Sequence, residues 1–135
     1  MFRLQFSRVL VGVSMVIVSY PAAGGALSAW PVTVGNEGRS AIDCKAEIAH
    51  WFSLDLAMIP PGTEGGFTLW VDDSTGTHFA RNAHGEPLPV ERVWCGIAGK
   101  AYVTRWTIPL DRTPHARATP LHLGCAPAGD RLECR

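Results

Sequence analysis

No excess of either charge marks this sequence. Twelve Lys and Arg balance twelve Asp and Glu, and no run of one sign occurs. Nucleic-acid binders carry a basic stripe, and proteins held on anionic lipid carry a basic cluster. Neither is present, so neither partner class is expected. Close cysteine pairs are also missing. Consecutive cysteines stand 51, 30 and 9 residues apart, whereas structural zinc sites use spacings such as C-x-x-C. There is no G-x-S-x-G elbow, which removes the usual serine-hydrolase nucleophile. No apolar run reaches the ~20 residues that span a bilayer as a helix. After residue 29, no 11-residue window free of Gly and Pro gives a convincing i, i+3, i+4, i+7 apolar pattern.

What is present begins with an address. Arg3 and Arg8 precede an uncharged apolar run of 12 residues, Val9 to Tyr20, followed by the small-residue stretch Pro21 to Ala29. This is the order of a secretory signal peptide: positive, apolar, then small. Residues 1–29 are read as that segment, with cleavage near Ala26 to Ala29, and residues 30–135 as one domain. Removing 29 of the 135 residues leaves 106, with ten basic and twelve acidic groups. That length suits a single domain. The expected location is exported, periplasmic or extracellular, with no stable membrane insertion after cleavage.

The address decides how to read Cys44, Cys95, Cys125 and Cys134. An even count in an exported domain reads as two disulfides. Three pairings are open, and the preferred one joins Cys44 to Cys95 and Cys125 to Cys134. The second bridge would close a hairpin at Pro127 to Asp130. The first would cross between two sheets.

From Trp30 onward the apolar period is two. Val32 and Val34 alternate with Thr33, and Ile42, Cys44, Ala46, Ile48, His50 and Phe52 share one parity against Asp43, Lys45 and Glu47. Phe67, Leu69 and Val71 form a third inward set, and Val93, Cys95 and Ile97 a fourth. Tyr102, Thr104, Trp106, Ile108 and Leu110 continue the period, and Leu121, Leu123 and Cys125 close it. Turn chemistry separates these runs at Pro60-Pro61-Gly62 and Asp72 to Gly76. The expected fold is all-β: a small antiparallel, immunoglobulin-like β-sandwich of seven to eight short strands. The likeness is architectural. Trp51 comes too early for the immunoglobulin tryptophan, and Val93 stands where that family has its tyrosine.

Four groups of residues invite a chemical role. All five tryptophans lie after residue 29, and parity places Trp51, Trp70 and Trp94 on outer strand faces. Outward aromatics suit an apolar contact surface, so these three are the candidate binding surface for a protein partner. His50 with Met58 is the alternative, a copper or zinc pair of exported metal-handling type. Asp72-Asp73-Ser74-Thr75-Gly76 is oxygen-rich, but Ala83 stands where an EF-hand loop requires its Glu, so it reads as a turn. Asp43 and Glu47 share a solvated strand face and read as surface charges rather than an acid–base pair. No catalytic residue is assigned and no cofactor is expected. The sequence reads as an exported, non-enzymatic binding or accessory domain of the cell envelope or beyond.

Overall fold

Among the described residues ten short strands, against the seven to eight expected, and one helical turn follow in order. The computed structural model describes residues 15–19, 26–49 and 52–135. The strands are β1 (Leu27–Asn36), β2 (Ile42–Ala49), β3 (Phe52–Ile59), β4 (Glu64–Asp72), β5 (Thr77–Arg81), β6 (Pro87–Pro89), β7 (Arg92–Ile97), β8 (Trp106–Ile108), β9 (Leu121–Ala128) and β10 (Arg131–Cys134). The helical turn α1 (Ala101–Thr104) lies between β7 and β8. One sheet has six strands, ordered β10-β9-β1-β4-β5-β6, and the other four, ordered β3-β2-β7-β8.

The two sheets meet as a β-sandwich through the residues of inward parity. Trp30, Val32 and Val34 of β1 pack with Leu69 and Val71 of β4 from one sheet. Ile42, Cys44 and Ala46 of β2 join Val93 and Cys95 of β7 from the other. Alternation is what makes this work, since a strand buries one side chain in two. The edges are blunted by sequence: β6 is three residues bounded by prolines, which cannot donate to an added strand.

Both disulfides lie within a sheet. Cys44 and Cys95 are bonded and directly opposed on neighbouring strands β2 and β7, with Cα atoms 4.0 Å apart. Cys125 and Cys134 are bonded across the β9–β10 hairpin, with Cα atoms 4.1 Å apart. The expected crossing between sheets is therefore corrected. The bridge from Cys44 staples two strands of one sheet, unlike the inter-sheet bridge of antibody domains. The spacing of the two cysteines, 51 residues, could not reveal this, because strands that neighbour in one sheet and strands that face across two can be equally far apart in sequence.

Four further differences have local causes. The pairing is not wholly antiparallel: β1 runs parallel to β9, from Val32 opposite Leu121 to Asn36 opposite Cys125. The chain reaches β9 from the four-stranded sheet through the long connection 109–120, which fixes its direction. The single strand read from Ile42 to Phe52 is instead two, with Ala49 paired to Phe52 and register shifts at Cys44/Lys45 and Glu47/Ala49. The strand read through Tyr102 and Thr104 is helical there. The Thr104 hydroxyl accepts the Ile97 N–H at 2.8 Å and donates to the Lys100 carbonyl at 2.8 Å, which curls the chain back on β7. Gly96 permits this approach, since a Cβ there would lie 2.0 Å from the Ala101 carbonyl oxygen. Finally, β1 starts at Leu27, so Leu27, Ser28 and Ala29 pair with Asp72, Val71 and Trp70. Strand pairing thus begins before residue 30. Most of the segment read as a signal peptide lies outside the described residues.

Candidate binding surface

Trp70 sits on β4 between the buried Leu69 and Val71, so its ring points away from the core. Directly opposite on β5 is Phe79, itself between the buried His78 and Ala80. Paired residues of antiparallel neighbours share a face. Register then extends the row in both directions, from Ala29 on β1 through Trp70 and Phe79 to Pro89 on β6. The Arg81 guanidinium lies over the Trp70 ring, 4.4 Å from its centroid. It also donates to the Gly85 carbonyl at 2.8 Å, which holds the cation in place. The row combines two half-buried rings and a stacked cation, a composition enriched at protein interfaces.

Trp94 is placed differently. Its parity on β7 is outward, yet only 3% of it is exposed. Tyr102 of α1 covers it edge-on, with ring centroids 6.0 Å apart. Among the described residues the Trp94 indole N–H has no hydrogen-bond partner. Trp94 also belongs to the four-stranded sheet and Trp70 to the six-stranded one, so their outer faces point to opposite sides of the sandwich. The surface read from sequence is corrected on this point: Trp70 and Trp94 do not share a patch. Trp51 lies outside the described residues. Phe79 and Arg81 were missed, although Phe79 obeys the same alternation as Trp70. What sequence could not supply was the β4–β5 register.

The alternative site fares as follows. His50 lies outside the described residues. Met58 is 59% exposed on β3, opposite Asp43. Among the described residues no three or more His, Cys, Asp or Glu side chains converge on a metal-sized site. The Asp72 carboxylate accepts from the Ser74 N–H at 2.9 Å and from its hydroxyl at 2.6 Å. These bonds, the hydroxyl first, hold Asp72 below its ordinary carboxylate range. The loop is a turn closed by its own side chains. Asp43 and Glu47 each meet a base: Lys45 joins Asp43 at 3.3 Å and also pairs with Asp55, and Arg92 donates to Glu47 at 2.9 Å. The hydrogen bond to Asp55 chiefly raises Lys45 above its usual value.

No protein-family model matches the chain, no curated protein matches it, and no solved structure matches it. The geometry therefore carries the functional reading alone. The two disulfides point to an oxidising, exported environment, and no helix among the described residues is long and apolar enough to cross a membrane.

Proposed function

We propose that this chain is an exported, non-enzymatic binding domain that meets a protein partner, in the cell envelope or outside the cell, through the outer face of its six-stranded sheet. The observation that carries the reading is the cross-strand row Ala29–Trp70–Phe79–Pro89 with Arg81 stacked on Trp70. Aromatic rings and Arg supply most of the energy at protein interfaces, because they exclude water over a large area and keep few rotatable bonds. Residues 1–26 act as the export signal in this reading, ending in the small-residue pattern Gly24-Gly25-Ala26.

The test is co-purification of the tagged, processed protein from its own cells, with mass spectrometry of what accompanies it, for the native chain and for Trp70→Ala. The expected result is a partner captured by the native chain and lost from a Trp70→Ala domain that still folds. Retention of the partner by that variant would remove the outer face as the contact. Unfolding of the variant would make the ring a structural element instead.

A further inference from the structure

A cavity of about 200 Å³ opens on the other side of the same sheet's edge region. Its floor is Trp30, Val71 and His78, and its wall is the connection between β8 and β9, including Asp111, Arg117 and Thr119. His78 and Val71 have inward parity, opposite to Trp70 and Phe79. This space is therefore separate from the proposed protein-contact face, and neither reading depends on the other.

The wall is built rather than loose. The Trp30 indole N–H donates to the Thr119 carbonyl at 2.7 Å. The His115 N–H donates to the Asp73 carbonyl at 2.6 Å. The Arg112 guanidinium donates to the Val90 and Glu91 carbonyls at 3.0 and 2.7 Å. A connection of this length without regular structure is uncommon unless it serves a purpose, and this one is tied down at three points along its course.

The floor carries an unused acceptor. His78 is only 2% exposed, and its ring stands edge-on to Trp30 with centroids 5.3 Å apart. Its Nδ1 lies 3.2 Å from the Gly76 carbonyl oxygen. A carbonyl only accepts, so Nδ1 carries the proton and Nε2 keeps its lone pair. Among the described residues no group donates to Nε2. Nε2 is not sealed within the protein, and His78 lines the cavity, so this acceptor is open to a donor that enters from outside. The space is sufficient, since an apolar protein cavity of about 150 Å³ accepts benzene.

We infer that this cavity binds a single-ring aromatic molecule bearing a hydroxyl or amino group. The ring lies against Trp30, and the O–H or N–H donates to His78 Nε2. Asp111 and Arg117 at the mouth provide charged groups for a second substituent.

The experiment titrates the folded domain with phenol and, separately, with toluene, which has nearly the same shape and no donor. The indole N–H resonance of Trp30 and the ring resonances of His78 report binding. The expected result is saturable shifts for phenol, at an affinity about tenfold above that of toluene, the worth of one such hydrogen bond. His78→Phe keeps a ring but removes the acceptor, and should abolish that preference. If His78→Phe does not fold, Ala116→Phe, which fills the cavity from its wall, decides the matter by losing both probes. Equal affinities for phenol and toluene would overturn the inference. So would the absence of saturable shifts, or a Ala116→Phe domain that binds phenol as the native one does.

Discussion

His78 links burial to acidity in a way that can be measured. Burial lowers its pKa below the usual 6.5, and the nearby Arg112 charge adds to this, against the weaker raising effects of the Gly76 carbonyl and Asp111. The unfolded chain therefore takes up a proton at His78 before the folded one does. Stability from this group is complete above about pH 6.5 and falls as pH drops from there towards the folded pKa. Chemical denaturation between pH 7.5 and 5 should show that decline, and His78→Phe should flatten it. Gly76 gives a sharper prediction. Its φ is +74°, and a Cβ there would lie 2.1 Å from the Arg112 carbonyl oxygen. Gly76→Ala should cost at least about 2 kcal/mol, since it adds backbone strain to a clash with a pinned segment. Trp70→Ala, by contrast, should cost only about 1–2 kcal/mol, because the ring is half-buried and its cation partner is exposed. Thermal unfolding of the two variants side by side checks the order.

Elements were legible where alternation was strict and neighbours were not needed. The inward sets of β1, β2, β4 and β7 follow directly from the period of their apolar residues, and together they make up most of the core. The failures share a physical origin, which is that partner and register are set by contacts distant in sequence. Ile42 to Phe52 reads as continuous alternation, yet Ala49 pairs with Phe52 as residues of two neighbouring antiparallel strands, and only pairing distinguishes the two. Tyr102 and Thr104 fit a strand equally well, but a single threonine hydroxyl that serves both Ile97 and Lys100 closes a helical turn. Trp94 obeys the parity rule and is still hidden, because that turn lays Tyr102 over it. The two bridges differ at this scale too. In the chain-entropy model the stabilisation grows with the logarithm of the closed loop. Loops of 51 and 9 residues then differ by about 1.5 kcal/mol. A Cys44→Ala/Cys95→Ala double variant should lose that much more, in denaturant titrations, than the Cys125→Ala/Cys134→Ala pair.

For the whole molecule, the useful boundary is the start of β1. Leu27, Ser28 and Ala29 are paired with β4, and the Ser28 hydroxyl donates to Asp73 at 3.0 Å. Processing after Ala29 would discard three paired residues, whereas processing after Ala26 keeps the strand entire. On the proposed export, the intact mass of the processed protein should therefore correspond to a chain beginning at Leu27. A mass beginning at Trp30 would refute this.

Asn36, at the end of β1, gathers separate parts of the chain. Its side-chain amide donates to the carbonyls of Ser40 and Ile59 at 2.8 and 3.0 Å, and its oxygen accepts the Gly38 N–H at 3.0 Å. Its own backbone joins Thr63 and Gly62. The strand it terminates lies between β4 and β9, so one flank is served by early sequence and the other by late. A growing or partly delivered chain can form the β1–β4 ladder but must leave the opposite flank of β1 open until residues 121–125 arrive. Folding is thereby tied to delivery of nearly the entire polypeptide. A chain held back at residue 120 would present an unsatisfied strand to its neighbours, the condition under which sheets join between molecules.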